Sequence, residues 1–168
     1  VKNNFAKIPA ELSSQIFCKA VNFEKPAKVV ADFVEENFSE MPEDFRNELL
    51  LKLAENGFNA GTVASMVIEN YKNLPEEITG SLFRLAQNPS TARDVVIILQ
   101  YSFYNLPAAY RNALLDKIAL KDETVAPLAH ILNESYPKIP EQLRERVLDD
   151  ISNYDGSEFY KLKILKYN

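Results

Sequence analysis

An apolar residue followed by proline recurs along the chain at a nearly constant spacing. Successive pairs stand 33, 33, 32 and 33 residues apart, and an aromatic residue precedes each pair by three positions. A fixed period of this length is the signature of a repeat protein. The pairs are Ile8-Pro9, Met41-Pro42, Leu74-Pro75, Leu106-Pro107 and Ile139-Pro140, and the aromatic residues are Phe5, Phe38, Tyr71, Phe103 and Tyr136.

Each proline opens a predicted helix, which we call helix A. Proline suits the first helical turn because its missing N–H would be unsatisfied there, and the acidic residues that often follow oppose the helix dipole. Helix A is predicted to end at turn signals within 22–26, 56–57, 88–90 and 121–122. Apolar residues at helical spacing form two columns, which are Leu12, Phe45, Ile78, Tyr110, Leu143 and Ile16, Leu49, Leu82, Leu114, Val147.

A second helix, helix B, follows each turn signal and carries apolar pairs four residues apart. These pairs are Val30/Val34, Val63/Val67, Val95/Leu99 and Leu128/Leu132. A hairpin of ~33 residues cannot bury both stripes alone, so neighbouring hairpins must stack. We predict an all-α fold, a right-handed α-solenoid of about five helix-turn-helix repeats in one domain spanning 1–168. The approximate repeats are 4–36, 37–69, 70–101, 102–134 and 135–168, and residues 157–168 are predicted to form a C-terminal capping helix.

On these features the chain resembles the α-solenoid families of helical-hairpin repeats, nearest to HEAT or armadillo-like and TPR-like arrays. The Thr-Pro-Leu-His signature of ankyrin repeats and the Trp, Leu-Gly and Tyr pattern of TPR repeats are absent, which favours a HEAT-like label. The resemblance implies a scaffold or protein-binding module and carries over no catalytic residue. The segment Asn-Tyr-Lys-Asn-Leu-Pro-Glu-Glu at 70–77 also resembles repeats appended to microbial signalling ATPases, which would make the chain a sensor or regulatory segment of a larger protein.

The amino-acid composition limits the classes of partner and the compartment that we expect for this chain. The 168 residues include 19 basic and 24 acidic side chains, and the net charge of −5 argues against nucleic acid or an anionic membrane as the main partner. A single cysteine, Cys18, excludes an intramolecular disulfide and fits a reducing compartment. We therefore expect a soluble, cytoplasmic protein that needs no cofactor. Because the first residues lack both an initiator Met and an apolar leader, we expect the chain to be cut from a longer protein.

The resemblance to HEAT-like arrays implies that helix B lines the concave side. Its outward columns then define the predicted protein-binding residues, which are Lys28, Asp32, Glu36, Ser65, Glu69, Arg93, Ile97, Tyr101, His130 and Glu134. The third repeat is the favoured site, because Arg93, Ile97 and Tyr101 are residue types found at interface centres. For Ile97 and Tyr101, burial in a helix enclosed on all sides is the stronger alternative.

Three further expectations concern a histidine, a cysteine and a column of arginines. His130 is predicted to pair with Glu134 one turn away, since a metal ion needs more ligands than this column offers. Cys18 is predicted to be a small buried hydrophobe. The arginines four positions after the prolines, Arg46, Arg111 and Arg144, are predicted to form salt bridges with neighbouring turns.

The leading hypothesis for function is a non-catalytic scaffold that binds a peptide or a protein domain on the concave helix-B surface. Nucleic-acid binding by a HEAT-like protein is an alternative, but Lys28 and Arg93 are the only Lys or Arg residues in the outward columns. An enzyme is disfavoured because the carboxylates of these columns are spread along the repeats instead of converging. Self-association through the ends of the array is a further possibility.

Overall fold

The computed structural model describes residues 10–154, which contain nine α-helices, short 3₁₀ turns and no β-strand. The all-α prediction is confirmed for this range, and the predicted capping helix at 157–168 lies outside it. No helix within 10–154 has both the length and the apolar character needed to cross a bilayer. The helices are α1 (Ala10–Ala20), α2 (Glu24–Asn37), α3 (Glu43–Asn56), α4 (Ala60–Glu69), α5 (Glu76–Gln87), α6 (Ala92–Ser102), α7 (Ala108–Lys117), α8 (Asp122–Ser135) and α9 (Glu141–Ser152).

The helices form two layers. The odd-numbered helices, which correspond to helix A, pack on one another in chain order from α1 to α9. The even-numbered helices, which correspond to helix B, do the same from α2 to α8. Contacts such as those of α3 with α4 and α5 with α6 join the layers, and the apolar core lies between them.

The predicted apolar columns contribute part of this core. All four helix-B pairs are buried, and so are Ile78, Leu49, Leu82, Leu114 and Val147 of the helix-A columns. Helix α1 differs, because Leu12 and Ile16 are 48% and 51% exposed. Both residues belong to α1, which packs against α2 and α3 on one side.

Helix ends follow the predicted signals, except at the end of α7. Four prolines stand immediately before the first helical residue, with φ between −53° and −57°, and their carbonyls accept the N–H four residues on; they are Pro42, Pro75, Pro107 and Pro140. Gly57 ends α3 in the left-handed region at φ +68°. Helix α7 ends at Lys117, before the predicted 121–122. Ile118 has an extended backbone conformation and a buried side chain, and the Ala119 N–H donates a hydrogen bond of 2.7 Å to the Ala86 carbonyl.

The prediction of salt bridges for the arginine column is wrong. Within the described residues none of the three arginines lies within ion-pair distance of a carboxylate, and each instead lies over the aromatic residue eight positions earlier. The guanidinium carbon is 4.5 Å from the ring centre for Arg46 on Phe38, 4.8 Å for Arg111 on Phe103 and 4.2 Å for Arg144 on Tyr136. A guanidinium over a ring face is attracted by the ring quadrupole.

The environment of Cys18 also differs from the prediction. The side chain is half-buried, and its thiol donates a hydrogen bond of 3.2 Å to Glu48 Oε1 on α3. Ser14 Oγ, one turn earlier, donates to the other oxygen of the same carboxylate at 3.0 Å. Burial, and then Glu48, raise the pKa of the Cys18 thiol, so this cysteine is a polar contact between α1 and α3 and stays protonated at neutral pH.

Candidate functional site

The ten predicted binding residues lie on the four helices of the even-numbered layer. Eight of them are exposed, whereas Ser65 and Ile97 are half-buried. Because α2, α4, α6 and α8 pack side by side, we treat these positions as one surface, which we call the helix-B face. Its residues by helix are Lys28, Asp32 and Glu36 on α2, Ser65 and Glu69 on α4, Arg93, Ile97 and Tyr101 on α6, and His130 and Glu134 on α8.

Helix α6 contributes the most apolar part of the helix-B face. Tyr101 is 80% exposed, so its predicted burial is wrong. Ile97, one turn earlier on α6, is half-buried, and Arg93 is exposed one turn before that. Since α6 packs between α4 and α8, this cluster lies in the middle of the layer.

Local contacts hold several polar groups of the face. Ser65 Oγ donates a hydrogen bond of 2.8 Å to Glu69 Oε1 along α4. The guanidinium of Arg93 lies 3.9 Å from the Asp94 carboxylate, with both side chains largely in solvent. Such exposed pairs contribute at most about 1 kcal/mol, so the Arg93 charge stays open to a partner.

The predicted pair of His130 and Glu134 is not formed. Glu134 instead accepts a hydrogen bond of 3.2 Å from the side-chain amide of Asn133, and His130 is exposed. Across residues 10–154 no group of three or more His, Cys, Asp and Glu side chains is placed to hold a metal ion.

A groove lies in the odd-numbered layer, between α5, α7 and the 3₁₀ turn Tyr71–Asn73. This groove has a volume of about 780 Å³, and we call it the aromatic groove. The rings of Tyr71, Phe83 and Tyr110 line the groove. The Tyr110 ring lies between the other two, with its centre 4.8 Å from that of Tyr71 and 4.9 Å from that of Phe83. Gly80 of α5 also lines the groove, and a Cβ atom added to it would meet nothing within 4 Å.

Charged groups stand along the same groove. Glu76 and Glu77, in the first turn of α5, are exposed and line it, and so does Lys72 of the 3₁₀ turn. The two carboxylates outnumber the single ammonium group. The wall of the aromatic groove is therefore aromatic and net acidic.

Tyr110 connects α7 to α5 at this point. Its hydroxyl donates a hydrogen bond to the Thr79 carbonyl, 31 residues earlier in the chain. Burial, and then the neighbouring Tyr71, raise the pKa of the Tyr110 phenol, so the hydroxyl remains a hydrogen-bond donor at physiological pH. The ring is consequently held in one orientation as part of the groove wall.

Sequence reasoning did not select the residues of the aromatic groove. It treated Tyr110 only as an apolar column residue and passed over Gly80 in the interior of α5. A signal for the groove is nevertheless present in the arginine column. Arg46, Arg111 and Arg144 stand four positions after their prolines, but Thr79 stands at this position in the third repeat.

In comparisons with known proteins, no protein-family model, no curated protein sequence and no solved structure matches the chain.

Proposed function

We propose that the chain is a non-catalytic interaction module, an α-solenoid of helical-hairpin repeats that binds a peptide or a protein domain on the helix-B face. The stacking of odd-numbered helices on one another, and of even-numbered helices on one another, supports a repeat array. In such arrays each hairpin contacts its neighbours, and the exposed side of one layer forms an extended binding surface.

The observation that carries the proposal is the exposure of Tyr101 beside Ile97 and Arg93. A tyrosine ring that is 80% exposed in the middle of a helical layer leaves a large apolar area in water. Tyrosine and arginine are the residue types most often found among those that dominate binding energy. A partner that covers this cluster gains apolar burial and a charged contact at the same point.

The charges around the cluster favour a protein partner over nucleic acid. Asp32, Glu36, Glu69 and Glu134 place four carboxylates on the helix-B face, against the basic groups Lys28 and Arg93. A phosphate backbone requires a clustered positive field, which this arrangement does not provide. A mixed polar rim around an apolar centre is typical of protein interfaces.

The experiment compares the wild-type chain with the double variant Arg93→Glu/Tyr101→Ala. Proteins captured by the immobilised wild-type chain are identified, and the purified candidate is titrated by calorimetry against both forms. We expect the double variant to bind at least about tenfold more weakly, because two central contacts are lost. Light scattering on each sample shows whether the captured partner is a second copy of the chain.

The matched control is Arg84→Glu/Gln87→Ala on α5. Both residues are exposed on the other layer, and the pair makes the same change of charge. We expect it to bind like the wild type. Equal affinity of the wild type and Arg93→Glu/Tyr101→Ala would place the binding site elsewhere and reject the proposal.

A further inference from the structure

The aromatic residue before each proline is paired with an arginine of the same chain in three of the four repeats for which the structure describes it. The rings are those of Phe38, Phe103 and Tyr136, and each lies under the guanidinium of the arginine eight positions later. Arg46 and Arg144 also donate from Nη1 to the carbonyl of the same aromatic residue, at 3.3 and 2.9 Å. The corner between two hairpins thus binds a guanidinium group in these three cases.

The third repeat keeps the ring but lacks this cation. Thr79 stands at the arginine position, and no cation within residues 10–154 lies over the Tyr71 ring. An uncharged ring, that of Tyr110, packs against Tyr71 instead. The Tyr71 carbonyl accepts a long bond of 3.5 Å from the Leu74 N–H.

Because no arginine covers this corner, the groove keeps an aromatic wall with acidic residues beside it. The rings of Tyr71, Phe83 and Tyr110 line the groove of about 780 Å³, and Glu76 and Glu77 stand along it. Gly80 leaves the groove clear where any other residue would project a side chain. A glycine inside a helix costs roughly 0.5 to 1 kcal/mol relative to alanine, so the open groove comes at a cost in stability.

We infer that the aromatic groove binds an arginine side chain of a partner peptide, whose guanidinium stacks on the half-buried rings that line the groove and faces the carboxylates of Glu76 and Glu77. A planar guanidinium fits a ring face and a carboxylate at once, whereas an ammonium group is a compact, strongly hydrated charge. Three arginines of this chain lie over the aromatic residue at the same position of other hairpins, which favours a guanidinium as the occupant. This site lies in the odd-numbered layer and does not depend on the helix-B face.

The test titrates the isotope-labelled chain with N-acetyl-arginine N-methylamide and follows backbone amide shifts by NMR. We expect saturable shifts at Tyr71, Gly80 and Phe83. The probe N-acetyl-citrulline N-methylamide has nearly the same shape without the charge, and we expect it to bind at least about tenfold more weakly. Equal binding of the two probes would overturn the inference, and equal binding of the lysine analogue would overturn the assignment of a guanidinium.

Two variants locate the probe. Gly80→Arg places an arginine of the chain itself in the groove, one turn after Glu76, and we expect it to weaken probe binding at least about tenfold. Gly80→Ala makes the same backbone change with a side chain too small to fill the groove, and we expect it to bind the probe like the wild type. Wild-type affinity in Gly80→Arg would overturn the inference.

A third variant tests the charges without adding bulk. Glu76→Gln/Glu77→Gln removes both carboxylates from exposed positions, and we expect probe affinity to fall about threefold to tenfold. Unchanged affinity would contradict the role of the two carboxylates. The variant Arg93→Glu/Tyr101→Ala is expected to bind the probe normally, which keeps this test separate from that of the helix-B face.

Discussion

Arg144 lies over the ring of Tyr136, with its guanidinium carbon 4.2 Å from the ring centre, and donates a hydrogen bond of 2.9 Å to the Tyr136 carbonyl. One side chain thereby joins the first turn of α9 to the 3₁₀ turn Tyr136–Lys138 that follows α8. Arg46 makes both contacts with Phe38 in the same way. The contact stabilises the corner between α8 and α9, and that of Arg46 the corner between α2 and α3.

Replacing Arg144 by methionine removes both contacts but keeps much of the side-chain length. We expect Arg144→Met to lower the free energy of unfolding by about 1 to 3 kcal/mol, since it loses a charged hydrogen bond and a cation–π contact. Urea denaturation measures the change. The control Arg84→Met alters an exposed arginine on α5, and we expect a change within about 0.5 kcal/mol. Similar losses in both variants would show that the ring contact contributes nothing specific.

Two glycines are expected to respond to alanine with opposite signs. Gly57 has φ +68°, and a Cβ atom there would stand 2.9 Å from Thr91 Cγ2, so we expect Gly57→Ala to destabilise the fold by about 1 to 2 kcal/mol or more. Gly80 lies inside α5 with open space around its Cα, so we expect Gly80→Ala to stabilise the fold by about 0.5 to 1 kcal/mol. Thermal and urea unfolding of both variants test this; a destabilised Gly80→Ala would mean that the groove is closed.

The phenol of Tyr110 makes stability depend on pH in the alkaline range. Burial and Tyr71 raise the pKa of the Tyr110 phenol in the folded chain. In the unfolded chain the pKa of a tyrosine is about 10. The contribution is therefore fully present below about pH 10 and is lost as the pH rises towards the folded pKa. At neutral pH we expect Tyr110→Phe to cost about 0.5 to 1.5 kcal/mol, for the hydrogen bond to Thr79.

The measurement for Tyr110 compares the two proteins at several pH values. The stability gap between the wild type and Tyr110→Phe is expected to narrow as the pH rises above about 10, because only the wild type carries the phenol. A gap that stays constant over this range would contradict the raised pKa of Tyr110.

The thiol of Cys18 is expected to react slowly with alkylating reagents. Burial and Glu48 raise its pKa, and only the thiolate reacts, so the rate in the folded chain should rise at higher pH than it does in the unfolded chain. The variant Glu48→Gln removes the negative charge while keeping an acceptor for the thiol. We expect Glu48→Gln to react faster at pH 8, as measured by the rate of iodoacetamide labelling. An unchanged rate would show that the carboxylate does not influence the thiol.

The prolines, the apolar columns and Gly57 were sufficient to predict the α-helical segments and the columns that form part of the core. Each of these signals acts within one or two helical turns, so a single sequence contains all of the information. The end of α7 was predicted too late, because it depends on a hydrogen bond from Ala119 to Ala86 in another helix. The arginine column was recognised as a pattern, but its partners were misassigned.

The local periodicity of this chain therefore determined that it is helical, where most of its helices begin and the apolar columns that supply part of the core. The three-dimensional arrangement decided that the arginines lie on rings, that Tyr101 is exposed and that Tyr110 reaches Thr79 to form one wall of the aromatic groove. Exposure depends on what neighbouring helices cover, and the Tyr110 contact joins groups 31 residues apart. The order of residues within a single helix does not determine such contacts, since they depend on how the helices pack.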